Sequence, residues 1–193
     1  MPQPKIVALA GSLRADSFNR KLIALAAEAA RAAGAEVTVV DLRALALPMY
    51  DQDLEDASGL PEGARTLKAL LRASHGLLIA SPEYNSSISG ALKNAIDWAS
   101  RAETDDEPPL AAFRGKTAAL LAASPGALGG LRGLVTVRSI LGNIGVLVLP
   151  DQVCIGTAHE AFDASGRLTD DAKTRRVAAL AAALVETAGK LAG

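Results

Sequence analysis

The sequence is poor in residues that mark extracellular or metal-binding chains. Its 193 residues include one cysteine, Cys154, and two histidines, His75 and His159. A lone cysteine cannot form an internal disulfide, so a reducing, cytoplasmic setting is expected. No pair of His or Cys has metal-ligand spacing, so no metal site is predicted. Charge of one sign is also lacking. Twenty Lys and Arg oppose twenty-one Asp and Glu, for a formal net charge of −1. That balance gives no electrostatic reason to expect nucleic acid or a membrane surface as partner. No stretch approaches the roughly 20 apolar residues of a membrane helix. The apolar run in the opening "MPQPKIVALAGS" is too short for a signal peptide.

Familiar catalytic motifs are missing as well. The chain has no GxSxG elbow, so a hydrolase triad has little support. It has neither GxxxxGK[ST] nor GxGxxG, which removes the usual di- and triphosphate cradles. His75 precedes a strand-like run and His159 sits in a late loop, and both read as surface residues. Cys154 lies in a β-like run, where inert packing is the expected role.

Half of the residues are hydrophobic, and a chain of this length can bury a sizeable core as a single domain, 1–193. Short apolar runs read as strands at 5–10, 36–42, 76–81, 116–124 and 145–150. They are continuous rather than alternating, as in strands covered on both faces of a parallel sheet. Helical patterns fill 18–33, 61–74, 89–102, 129–142 and 170–191. Gly34 is placed as a C′ glycine, and Asp170 or Thr169 as a cap. Five strands alternating with five helices predict right-handed crossovers. The expected fold is an α/β, flavodoxin-like, doubly wound sheet of order 2-1-3-4-5 in a three-layer sandwich. The last strand is expected to continue into "QVCIG", with a turn at Ser165–Gly166.

In this topology the loops after strands 1, 3 and 4 meet at one sheet edge, where ligands bind. The first is "GSLRADSFNRK". A helix start is already positive, yet this one adds Arg14 and the donors Ser12, Ser17 and Asn19, which suits a single terminal phosphate. The alternative is that Ser17 only caps the helix and Arg14 is solvated. The second loop, "SPEYNSSISG", opens with Pro82, which ends strand pairing and leaves Glu83, Tyr84 and Asn85 beside the first loop. Trp98 reads as packing. The acidic runs "DQDLED" and "ETDDEP" read as solvated faces. The stretch 43–60, with Tyr50 and Asp51, reads either as a lid or as a surface loop that packs Leu47 and Met49 downward.

"GSLRADSFN" together with "SPEYNSSISGALKNAIDWAS" resembles the NADPH-dependent FMN reductase family, a flavodoxin-like group of quinone, chromate and azo-dye reductases. "LPMYDQD" and "FDASGRLTD" extend the resemblance over nearly the whole chain. It implies FMN as cofactor, with NADPH or NADH as reductant. It implies Ser12, Arg14, Ser17 and Asn19 around the phosphate, and Pro82, Glu83, Tyr84 and Asn85 along the flavin ring, largely through backbone groups. Ser124 and Gly126 of the third loop are implied as flavin or nicotinamide contacts. No protein nucleophile is needed: ping-pong hydride transfer would end on a small acceptor such as a quinone. Members form dimers or tetramers, so a homo-oligomer is expected. Two departures stand out. Ser86 replaces the aromatic that many members carry after "PEYN", which opens the flavin face, and Pro125 removes an N–H donor from the third loop. The competing functions are a flavodoxin-type electron carrier, which the near-neutral charge argues against, and a non-enzymatic flavin- or phosphate-binding module.

Overall fold

The five apolar runs form one parallel sheet in the computed structural model, which describes residues 3–192. Met1, Pro2 and Gly193, the ends of the predicted domain, lie outside the described residues. The strands are β1 (Lys5–Ala10), β2 (Glu36–Val40), β3 (Gly76–Ala80), β4 (Thr117–Ala123) and β5 (Leu147–Ile155). Their order is β2-β1-β3-β4-β5, as the alternation of runs predicts. Strands β3 and β4 are buried at every position, which explains their lack of polar alternation.

The helices are α1 (Phe18–Ala32), α2 (Gln52–Ser58), α3 (Glu62–Ala73), α4 (Gly90–Ala99), α5 (Leu131–Asn143), α6 (Ala158–Ala161) and α7 (Asp171–Ala192). Helices α1 and α7 cover one face with Leu22, Ile23, Ala26, Leu180 and Leu184. Helices α3, α4 and α5 cover the other with Leu67, Leu71, Leu92, Ile96, Leu134 and Val137. All pairs are parallel, and it is the strand order that reverses between β1 and β3, where the crevice of the fold opens.

Strand β5 continues beyond 145–150 into "QVCI", as expected, and ends at Ile155. It runs through Pro150 by way of an irregularity: Ala118 pairs with Val148, but Leu120 pairs with Gln152. Proline is tolerated because β5 is an edge strand and the residues around it are bulged. Arg138 of α5 satisfies the displaced carbonyls, donating to Leu149 O at 2.7 Å and Pro150 O at 3.3 Å.

The segment 43–60 contains a helix, α2, and is fastened rather than free. Asn94 of α4 accepts from Tyr50 N–H at 2.8 Å and donates to Pro48 O at 2.8 Å. Trp98, fully buried, donates its indole N–H to the same carbonyl at 2.8 Å and meets the Tyr50 ring edge-on at 5.0 Å. Leu47 packs inward, but Met49 is 74% exposed. This is an anchored strap, with Asp51 capping α2 through Asp53 N–H at 2.9 Å.

The run "ETDDEP" is not wholly a solvated face. Glu107 pairs with Lys68 of α3 at 2.5 Å, with side-chain exposures of only 5% and 2%. Burial works to raise the Glu107 carboxyl pKa. The hydrogen bond from Lys68 and the N–H of Glu103 outweigh it, and the net shift is downward. A carboxyl with a lowered native pKa stabilises the fold above its unfolded value, and that contribution fades as pH falls through the native value. Glu107→Gln leaves Lys68 buried without its counter-charge. It is expected to cost about 3 kcal/mol at pH 7. In chemical denaturation across pH, the gap from the parent protein should shrink below about pH 4. A gap constant with pH would contradict the ion-pair assignment.

Candidate functional site

The loop after β1 begins where Gly11 N–H extends the ladder to Ala80 O at 2.9 Å. A Cβ on Gly11 would stand 3.0 Å from Leu92 Cβ and 3.2 Å from Pro82 Cδ. Glycine is thus what lets the loop after β1 touch the loop after β3. Ser89 fastens the contact. Its hydroxyl donates to Gly11 O and accepts from Leu92 N–H at 3.2 Å, so one side chain both caps α4 and ties it to the first loop. This tie escaped sequence reasoning, which saw Ser89 only as a helix start.

Ser12 and Ser17 are buried. Ser12 Oγ accepts from Arg14 N–H at 3.3 Å. Ser17 stands at the N-cap of α1 with extended backbone, yet its side chain makes no capping hydrogen bond. The N–H groups of residues 15 to 20 have no acceptor among the described residues. Four of the other six helices differ: Asp51, Ser89, Glu83 and Asp170 supply side-chain acceptors to α2, α4, α5 and α7. No acidic residue occupies the first turn of α1. Asp16, just before it, is turned outward, and the hydrogen bond and charge of Lys21 at 2.7 Å lower its pKa. Arg14 is exposed, and its guanidinium reaches only Asp16 O, at 3.3 Å.

Asn19 faces elsewhere. Its amide donates to Ala123 O and accepts from Ala123 N–H, both at 2.9 Å and both buried. The side chain therefore clamps the start of α1 to the end of β4, joining the first loop to the third.

The second loop is a tight hairpin. Tyr84 N–H donates to Ser87 O at 2.9 Å, and Ser87 N–H to Tyr84 O at 3.0 Å. Between them Asn85 and Ser86 have φ of 51° and 64°, the pattern of a type I′ turn, which asparagine tolerates. Tyr84 is half exposed and Pro82 is buried. Glu83 turns away from the turn. Its carboxylate accepts from Arg132 N–H at 3.0 Å, Gly133 N–H at 3.2 Å and Arg132 Nε at 2.8 Å. Burial pushes the Glu83 pKa upward, but the Arg132 and Gly133 hydrogen bonds prevail and lower it. Glu83 thus caps α5 and keeps only its backbone toward the crevice edge.

The third loop folds back on β5. Ser124 N–H donates to Ile155 O at 3.0 Å, and Ser124 Oγ accepts from Gly126 N–H at 3.3 Å. Gly129 and Gly130 have φ of 61° and 92°. A Cβ on Gly130 would lie 2.7 Å from Ala122 Cβ, so both backbone freedom and closeness demand glycine there. The structure therefore brings Ser12, Arg14, Ser17, Asn19, Pro82, Glu83, Tyr84, Asn85, Ser124 and Gly126 to one edge of the sheet. Two of them, Asn19 and Glu83, direct their side chains into the scaffold.

The other reactive candidates lie apart. His75 is at the opposite sheet edge, where Nδ1 accepts from Lys5 N–H at 2.9 Å. Cys154 is half-buried in β5, and burial pushes its thiol pKa up. No cluster of His, Cys, Asp or Glu among the described residues could hold a metal ion, and no described helix is long and apolar enough to cross a membrane.

A group with one terminal phosphate and a flat ring fits these residues. The unpartnered N–H groups and the two seryl oxygens suit the phosphate, and the hairpin and third loop offer backbone groups beside it. Comparisons with known proteins agree. Residues 4–160 match the sequence model of the NADPH-dependent FMN reductases. An NAD(P)H-dependent FMN reductase of Pseudomonas aeruginosa is 39% identical over 168 residues, 86% of this chain and 85% of that protein. A quinone reductase of Pseudomonas putida is 36% identical over 177 residues, 88% and 86% of the two chains. Among solved structures, the flavoenzyme NAD(P)H:(acceptor) oxidoreductase FerB of Paracoccus denitrificans superposes with a TM-score of 0.79 at 29% identity, covering 97% of this chain and 98% of that one. The chain is an oxidoreductase and belongs to the NADPH-dependent FMN reductase family, whose members use NAD(P)H and FMN.

Proposed function

We propose that the chain is a single-domain, cytoplasmic, homo-oligomeric flavoenzyme that holds FMN at the crevice between β1 and β3 and reduces a quinone. The observation that carries this reading is the start of α1. It has a run of N–H groups without acceptors, two buried serine hydroxyls and an arginine with no acidic partner. A dianionic phosphate supplies the acceptors that this end of the helix lacks, and the macrodipole favours its charge. Ser12 and Ser17 donate to it, and Arg14 closes over it from the solvent side. Asn19 contributes its backbone N–H, while its side chain fixes the helix start against Ala123.

Pro82, Glu83, Tyr84 and Asn85 border the flavin ring through backbone groups, with Ser124 and Gly126 on its other margin. Pro82 offers a carbonyl and no donor. Glu83 keeps the hairpin against α5. Tyr84, half exposed, provides an aromatic shelf beside the open face, and Ser86 leaves that face accessible. When bound, FMN supplies two-electron hydride chemistry between NAD(P)H and the acceptor, the two substrates using the same open face in alternation. The protein binds, orients and shields. No side chain is required to exchange a proton with substrate. The relatives named quinone reductases favour a quinone as the acceptor.

Three outcomes test this. Arg14→Ala is expected to weaken FMN by about tenfold to a hundredfold while leaving riboflavin affinity unchanged, because a charge-assisted bond to the phosphate is lost. Equal loss for both ligands in flavin-fluorescence titrations would remove Arg14 from the phosphate. Steady-state kinetics with NADPH and a benzoquinone are expected to give parallel double-reciprocal lines. Intersecting lines would mean that both substrates bind together. Glu83→Ala, in turn, is expected to weaken FMN and riboflavin alike, since it frees the ring-side hairpin from α5 and leaves the phosphate loop intact. A loss confined to FMN would contradict that division of labour.

A further inference from the structure

Strand β2 neighbours β1, so the residues just past β2 lie beside the loop just past β1. There Asp41 holds two arginines. It pairs with Arg20 of α1 through both oxygens, at 2.9 and 3.3 Å, and accepts from Arg43 N–H at 3.0 Å. The turn this creates, closed by Ala44 N–H to Asp41 O at 3.1 Å, aims the Arg43 side chain back toward the first loop. Arg43 Nε donates to Leu13 O at 2.7 Å. This tie has a geometric consequence. In a trans peptide the C=O and the following N–H point in opposite directions. Holding Leu13 O outward toward Arg43 turns Arg14 N–H inward, toward Ser12 Oγ. The peptide between Leu13 and Arg14 lies in the middle of the loop and has no other backbone tie among the described residues.

We infer that Arg43 is a positioning residue for the phosphate loop. Through Nε it sets the Leu13–Arg14 peptide, and so preorganises Ser12 and Arg14 for an anion without touching it. Asp41 acts one step further out, orienting Arg43 and tying the strap to α1 through Arg20. The inference rests on the phosphate-loop reading above. It concerns the donor on Nε, not the charge of the guanidinium.

Side-chain geometry allows that distinction to be tested. In Arg43→Gln the amide nitrogen occupies the place of Nε along the chain and still donates, but the charge is gone. In Arg43→Met a methyl group occupies that place and no donor remains. Full-length protein is titrated with FMN and, separately, with riboflavin, and amide hydrogen exchange is followed at residues 12–16. Arg43→Met is expected to weaken FMN by about fivefold to tenfold, the range of one hydrogen bond, with riboflavin affinity unchanged and faster exchange in the loop. Arg43→Gln is expected to bind FMN like the parent. Equal weakening of FMN by both variants would make charge the cause and overturn the inference. So would an unaltered affinity in Arg43→Met, or equal loss of FMN and riboflavin. Arg14→Ala serves as the control. If it fails to separate FMN from riboflavin, the phosphate-loop reading itself is wrong. If it separates them and the Arg43 variants do not, only the positioning role falls.

Discussion

The start of α1 is left electrically incomplete by the protein. A helix exposes unsatisfied N–H groups at its N-terminus, and most helices of this chain meet that need with a nearby carboxylate or hydroxyl. Helix α1 does not, although Ser17 stands at the capping position and Asp16 is next to it. The serine makes no cap, and the aspartate is drawn outward by Lys21. Local chemistry that could have closed the helix has been directed away from it.

Three ties keep the surrounding loops in place, and each links segments far apart in sequence. Ser89 joins the first loop to α4, Asn19 joins α1 to the end of β4, and Glu83 joins the hairpin after β3 to α5. Each uses a polar side chain to satisfy backbone groups at a strand end or helix start, where the regular ladder has run out. The result is a rigid rim with few polar side chains left over. Such a rim suits a cofactor that carries its own chemistry, because the protein then needs to bind and orient it rather than react with it. The ion pair of Lys68 and Glu107, and the Asn94 and Trp98 contacts with Pro48, secure the flank in the same manner.

Much of this was legible in the sequence. Continuous apolar runs such as "GLLIA" and "TAALLAA" betrayed strands buried on both faces, and their alternation with amphipathic stretches gave the strand order. The hydroxyl-rich loop after β1 marked the site because its composition conflicts with helix-start preferences. Pairings across the fold were not legible. Nothing near Asn19 in the chain shows that its amide meets Ala123, and nothing in "ETDDEP" singles out Glu107 as the buried member. The sequence predicts that the last strand continues into "QVCIG", but nothing local shows that Arg138, twelve residues earlier, meets the Pro150 carbonyl there. Local pattern reports which face a residue occupies, whereas the partner of a polar side chain is decided by topology. The family comparison also sets aside the electron-carrier and non-enzymatic readings, since the relatives are reductases.

The central claim is that a phosphate completes the N-terminus of α1. The most direct measurement is a crystal structure of the protein saturated with FMN. The account predicts the phosphate within about 3 Å of Ser12 Oγ, Ser17 Oγ, the Arg14 guanidinium and the first backbone N–H groups of α1, with the flavin ring lying along residues 82–85. A phosphate bound elsewhere, or a helix start closed by Asp16 while FMN is bound, would contradict it.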